Sequence, residues 1–225
     1  MNLERLRRRA EAHAALADVH RLAIVDELAL ADRTPSELAA TLGIESNLLA
    51  HHLATLEAAG LIERIASQGD RRRRYIRLLP AAQLVIEQDI RIVAERIVFV
   101  CTENAARSQL AEAIWNQSRP IKAISAGTRP ASRLHPGTIR AAARRGINLK
   151  GARPRPLPQL GAQDLVITVC DRAHETLDPG QNLSQLHWSI LDPATARTPR
   201  AYDNSVDALE ARIAAAAGHI ISAPT

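Results

Sequence analysis

"IVFVCTENAARSQLAEA", Ile97 to Ala113, sets four apolar residues directly before a cysteine and an arginine six positions after it. The apolar run predicts a buried strand, "RIVFVC", that stops at Cys101, and "SQLAEAIWNQ" begins a helix. "CTENAAR" is then the loop that joins a strand's C-terminal end to a helix N-terminus. Backbone N–H groups and the positive end of the helix dipole converge at such a place and favour a tetrahedral oxyanion, to which Arg107 can add a bidentate clamp. Thr102, Glu103, Asn104, Ala105, Ala106 and Arg107 form this anion loop. The same field favours a thiolate, so Cys101 is expected to have a depressed pKa and to attack the anion it helps to hold.

Working outward, further strands and helices alternate. Ala123–Ser125 and Leu165–Val169 read as strands, Pro136–Arg145 as a helix, and a last helix falls near Ser205–Ala217. That alternation predicts a parallel α/β sheet with its ligand at the strand ends. A chain of 225 residues that is 46% hydrophobic can bury real cores and is better divided into two domains than held as one. The segment "MNLERLRRRAEAHAALADVH" is charged and amphipathic without the apolar centre of a signal peptide, and no apolar run reaches the length of a membrane span, so a cytoplasmic location away from membranes is expected. With two cysteines, Cys101 and Cys170, a disulfide scaffold is excluded.

The net charge of +5 is unevenly placed: through Glu95 there are 13 arginines against 14 acids, and the rest of the chain holds the excess of base. Net charge therefore does not argue that the first half binds nucleic acid, and the argument falls to local clustering. "RRRR" at Arg71, Arg72, Arg73 and Arg74, flanked by Arg64 and Arg77, is such a cluster. Upstream, Thr34 reads as an N-cap, with Pro35 at the first helical position and Glu37 completing a capping box. Gly43 interrupts the apolar pattern as a tight turn would, and Leu48, Leu49, Leu53 and Leu56 continue it in a second helix. Gly60 ends that helix, and "LIERIAS" and "RRYIRLL" then read as two strands around the turn "QGDR". Helix, turn, helix and basic hairpin make a winged helix-turn-helix. Its second helix would enter the major groove with Ser46, Asn47 and His51 near base edges, while the wing contacts phosphates.

Leu16 to Leu79, through "LADVHRLAIVDEL", "ELAATLG", "LLAHHLATLEAAGLI" and the arginine-rich wing, resembles the ArsR family of bacterial winged-helix repressors. The resemblance implies a homodimer on a palindromic operator, with the apolar stretch Ala81 to Val93 as a dimerisation or linker helix. Many members of that family sense metals through cysteines at the start of the first helix of the motif, where "ADRTPSELAA" has none. The adjacent His51 and His52 cannot point the same way from a helix, so no metal site is expected.

The second half has its own resemblance. "CTENAARSQLAEA", "ISAGTRP", "LHPGTIRAAARRGINL", "DLVITVCDRA" and "HWSILDPA" are similar, in order and spacing, to the low-molecular-weight protein tyrosine phosphatases and the arsenate reductases that share their fold. This implies a three-layer α/β domain with a four-stranded parallel sheet. It also implies Cys101 as nucleophile, Arg107 as clamp, Ser108 as support for the thiolate, Asn104 as loop-shaper and Asp192 as the acid that protonates the departing oxygen. "RSQLAE" and "HWSILDPA" look more like the reductases, and Ala106 stands where the phosphatases have a second cysteine. Glu103 stands where the phosphatases usually have glycine. Cys170 matches the second redox cysteine of thioredoxin-coupled reductases, whereas the third, expected near Leu177, is missing.

The expected organisation is a winged helix-turn-helix domain over residues 1–80, a linker or dimerisation helix over 81–95 and a phosphatase or reductase-like domain over 96–225. The partners implied are operator DNA and an oxyanion substrate, arsenate or a phosphate ester. No tightly bound cofactor is implied. An external thiol reductant, whether thioredoxin, glutaredoxin or a low-molecular-weight thiol, completes the set. Regulator with reductase, regulator with tyrosine phosphatase, and an oxyanion sensor without turnover are the three function classes left open.

Overall fold

Thr34 starts its helix as the sequence predicts: its hydroxyl accepts the Glu37 N–H at 3.3 Å and the Glu37 carboxylate accepts the Thr34 N–H at 2.6 Å, a closed capping box. This computed structural model describes residues 2–83, 90–177, 184–196 and 198–222. Two compact units emerge, residues 1–67 with 71–89, and residues 68–70 with 90–225.

In the first unit, α1 (Leu3–Leu16) and α2 (Val19–Leu28) precede α3 (Pro35–Leu42) and α4 (Ser46–Ala58). Gly43 takes φ 64°, which a glycine adopts at no steric cost, and so turns the chain sharply between α3 and α4. The strands β1 (Ile62–Ala66) and β2 (Arg74–Leu78) pair antiparallel, Ile62 opposite Leu78. Leu38, Leu53, Leu56 and Ile76 meet Ile24 and Leu28 in one core, all at 1% exposure or less. The hairpin is therefore anchored by its own apolar face, and Arg71, Arg72, Arg73 and Arg74 beside its turn are exposed.

A short α5 (Pro80–Gln83) follows. Residues 84–89, within the stretch expected to form a linker or dimerisation helix, lie outside the described residues. The far end of that stretch is not helical: β3 (Ile92–Val93) is a strand that pairs in parallel with Ile220–Ile221. Two β-branched residues there satisfy their backbone on a partner strand rather than within a helix.

The second unit continues with β4 (Arg96–Cys101), α6 (Arg107–Asn116), β5 (Lys122–Gly127), α7 (Pro136–Arg144), β6 (Asp164–Thr168), α8 (Asp171–Thr176), β7 (Ser184–His187), α9 (Pro193–Ala196), α10 (Pro199–Ala216) and β8 (Ile220–Ile221). Four strands form one parallel sheet in the order β5-β4-β6-β7. Every residue of β6 is buried, as are five of the six in β4, which is why both read as unbroken apolar runs rather than alternating ones. Phe99 fixes the centre between Trp115 at 6.2 Å and Trp188 at 5.9 Å. From β4 the chain crosses by α6 to β5, and from β6 by α8 in the opposite direction to β7. Right-handed crossovers then put α6 and α8 on opposite faces and open a crevice at the C-terminal ends of β4 and β6. Cys101 and Cys170 sit at those two ends.

Candidate active site

The chain leaves β4 at Cys101 and must reverse into α6 at Arg107. Asn104 makes that possible at φ 49°, the one non-glycine residue with positive φ among the described residues. Its side chain is a hub: Nδ2 donates to Ser108 Oγ at 2.8 Å and to Ser125 Oγ at 2.9 Å, while Oδ1 accepts from Gln109 Nε2 and the Arg155 N–H, both at 2.8 Å. The loop's carbonyls turn outward. Those of Cys101, Thr102, Glu103 and Ala105 accept the N–H groups of Thr128, Arg129, Ala131 and His135 at 2.8–3.1 Å. With the oxygens drawn away, the Asn104 N–H points to Cys101 Sγ at 3.1 Å, and a loop whose carbonyls are engaged outside it has the character of an anion-binding turn. Gly127 closes the back of the loop: a Cβ there would lie 2.8 Å from the Thr102 carbonyl oxygen and 3.0 Å from the Asn104 Cβ.

Cys101 Sγ lies inside this cradle, 3% exposed, accepting the Asn104 N–H at 3.1 Å and sharing a hydrogen bond with Ser108 Oγ at 3.0 Å. The expected depression of its pKa is not what this environment produces. Burial pushes the thiol up, and the Arg107 guanidinium and the Ser108 hydroxyl, which pull it down, do not cancel that rise. Arg107 is engaged elsewhere: Nη1 donates to the Ile190 carbonyl and Nη2 to Asp192 Oδ2, both at 2.9 Å. Arginine and acid are thus brought together at the mouth of the loop, Arg107 buried and Asp192 with 35% of its side chain exposed.

Cys170 is the N-cap of α8, 3% exposed, with Sγ 3.3 Å from the hydroxyl of Thr102, a residue of the anion loop. Both cysteines are free thiols. Next to it, Asp171 stands 3.2 Å from His187 Nε2 and its Oδ2 accepts the Gln68 N–H at 2.7 Å; burial pushes this carboxyl up, but the His187 ring, the Gln68 N–H and Ser189 outweigh it and hold the group below the usual carboxylate range.

Cys101, Thr102, Asn104, Ala105, Ala106, Arg107, Ser108, Cys170 and Asp192 therefore converge on one crevice, whereas Glu103 turns its side chain to solvent. Gln109, Ser125 and Gly127 also shape the loop and were not singled out in the sequence. Gln109 follows directly on the arginine–serine pair in "RSQ", and Gly127 stands in "SAGT" at the end of β5. Ser125 donates to Glu112 Oε2 at 2.6 Å, and Glu112 pairs with Arg155, so the support extends to α6. In the first unit, Ser46, Asn47 and His51 are exposed on α4, and Arg71, Arg72, Arg73 and Arg74 are exposed at the wing. Arg64 and Arg77 are paired with acids instead, Arg64 with Glu57 at 2.8 Å on the exposed surface and Arg77 with the buried Asp32 at 3.1 Å.

The low molecular weight phosphotyrosine protein phosphatase family matches residues 96–220, and a helix-turn-helix domain matches residues 16–65. An arsenate reductase of Brevibacillus brevis is 30% identical over 123 residues, 52% of this chain and 90% of that protein. One of Bacillus subtilis is 33% identical over 106 residues, 45% of this chain and 76% of that protein. Among solved structures, the tyrosine phosphatase Wzb of Escherichia coli K30 in complex with sulphate superposes with a TM-score of 0.50 at 24% identity, over 56% of this chain and 98% of that one. This last likeness concerns the fold.

Proposed function

Given that the chain belongs to the low-molecular-weight phosphotyrosine protein phosphatase family and carries a helix-turn-helix domain in its first half, we propose that it is an operator-binding transcriptional regulator fused to a cysteine-dependent arsenate reductase. The observation that carries the reductase reading is the pairing of two buried thiols at one anion cradle, Cys101 within it and Cys170 against Thr102. Arsenate held by the loop amides and Arg107 is attacked by the Cys101 sulfur. One As–O bond breaks, and the oxygen leaves as water after taking up protons from the thiol and from Asp192. Arg107 must release Asp192 to grip the anion, which frees the carboxyl for that transfer. Cys170 then attacks the Cys101 sulfur; the S–As bond breaks with its electron pair passing to arsenic, which departs as arsenite. Two thiols have supplied two electrons and are left as a disulfide. A thioredoxin, a glutaredoxin or a low-molecular-weight thiol restores them. The named relatives, both arsenate reductases, support the choice of arsenate.

A phosphatase is the second reading, favoured by Asp192 standing 2.9 Å from Arg107, where a leaving ester oxygen would need a proton. Arsenate reduction with each thiol donor, run beside hydrolysis of an aryl phosphate, separates the two. Arsenite release that needs a thiol, with aryl phosphate turned over poorly, is expected. The reverse ranking would make the chain a phosphatase, and oxyanion binding without either turnover would make it a sensor.

On the DNA side, Ser46, Asn47 and His51 read base edges from α4 and the wing arginines bind phosphates, in a homodimer on a palindromic operator. Trivalent arsenic held by Cys101 and Cys170 acts as the signal in place of the missing cysteine pair.

A further inference from the structure

His52 belongs to α4 and is 4% exposed, yet neither ring nitrogen has a hydrogen-bond partner among the described residues. A buried imidazole without a partner is uncommon and points to something it is built to hold. Its Nδ1 faces Asp18 Oδ1 at 3.7 Å, too far for a hydrogen bond. His20 Nδ1 faces the same oxygen at 3.9 Å, and the two imidazoles stack with centroids 5.3 Å apart and planes 22° apart. One donor atom from each of the three residues lies within 4.8 Å of the other two.

A neutral ring that offers a lone pair to a carboxylate and a second imidazole has the chemistry of a metal ligand. We infer that Asp18, His20 and His52 form a binding site for a divalent transition-metal ion of the zinc class. Two imidazoles and one carboxylate suit zinc and the neighbouring first-row ions, with a fourth position left for water. Bonds of about 2.0–2.2 Å in a tetrahedron place donors about 3.4 Å apart. Small rotations of the side chains close the observed separations to that value, and His20, with 47% of its side chain exposed, has room to turn.

Asp18 is already oriented. As N-cap of α2 its Oδ1 accepts the N–H groups of His20 and Arg21, each at 3.0 Å, which fixes the carboxylate as supporting hydrogen bonds fix metal ligands elsewhere. Arg21 Nη1, at 4.0 Å from Asp18 Oδ2, is the cation that competes for it. The expectation that the histidines hold no metal considered only His51 with His52. The partners of His52 come instead from the start of α2.

The test is titration of the full-length, reduced chain with cobalt(II) and then with zinc(II). Expected is one cobalt per chain, with a ligand-field spectrum free of thiolate charge transfer, unchanged in Cys101→Ser, Cys170→Ser, and bleached by zinc. His20→Ala and Asp18→Asn should each weaken binding by about tenfold or more. Both variants keep the fold, since His20 is exposed and asparagine caps a helix about as well as aspartate. Thermal stability of each variant without metal checks this. Lack of cobalt binding by the wild type, equal affinity in His20→Ala and Asp18→Asn, or binding that disappears with the cysteines would each overturn the proposal.

Discussion

Asn104 holds the anion loop in a left-handed turn and ties it to α6, β5 and Arg155 through four hydrogen bonds. Asn104→Ala removes them all and keeps a side chain disfavoured at φ 49°; a loss on the order of 2–4 kcal/mol in denaturant unfolding is expected. Turnover should fall by about a hundredfold, because a loop shifted by an ångström no longer aligns sulfur and anion. Asn104→Gly relieves the backbone but not the bonds, and should recover stability in part and turnover hardly at all. At Cys101 the raised pKa carries a sign: the folded chain binds the thiol proton more tightly than the unfolded chain does. Its contribution to stability is complete below the unfolded value of about 8.5 and is lost as pH climbs through the folded value. Unfolding followed between about pH 8 and pH 10 should show a steeper loss for wild type than for Cys101→Ser, and parallel curves would deny the shift. Cys101 and Arg107 could be read from their spacing between strand and helix, and Ser108 from the family resemblance. Gln109, Ser125 and Gly127 could not, because their contacts join segments distant in sequence. The thiol's environment was misjudged because its burial, which pushes the thiol up, is made by segments that only the fold brings around it.

Among the elements, α3 was legible to its first residue, since Thr34, Pro35 and Glu37 write the N-terminus in local chemistry. The strands β4 and β6 announced themselves by unbroken apolar runs. The pair of β3 with β8 had no local signature, as two residues paired in parallel with two others more than a hundred positions away carry no periodicity. The wing arginines fall into two groups with different expected behaviour. Replacing Arg71, Arg72, Arg73 and Arg74 with alanine should weaken binding to specific and random duplex alike and reduce the slope of log affinity against log salt by about 3 to 4 for each subunit bound. Asn47→Ala should instead alter operator preference. Arg77→Ala is a change of another kind: it removes the guanidinium from the buried Asp32 carboxylate and should cost about 3 kcal/mol in thermal or denaturant unfolding. A four-alanine wing that kept the wild-type salt slope would show that the wing does not touch phosphate.

In the molecule as a whole, a helix-turn-helix domain that contains no cysteine is carried on one chain with a phosphatase-family domain that contains two, Cys101 and Cys170. If trivalent arsenic at Cys101 and Cys170 releases operator DNA tenfold, the ligand must favour the non-binding conformation by about 1.4 kcal/mol. Operator must then weaken arsenite binding by the same factor. Titration of labelled operator with and without arsenite, in wild type and in Cys101→Ser, reads that coupling directly, and equal DNA affinity in all cases would leave the two activities merely co-expressed. The electron balance of the site is the more basic matter, because a phosphatase would need one cysteine and this account needs two. The most direct measurement mixes arsenate with the fully reduced chain, freed of all external thiol, and counts arsenite and remaining thiols after a single turnover. Expected are one arsenite and the loss of both thiols per wild-type chain, with none of either in Cys101→Ser and no arsenite in Cys170→Ser. Arsenite from Cys170→Ser at the wild-type yield, or none from the wild type, would contradict it.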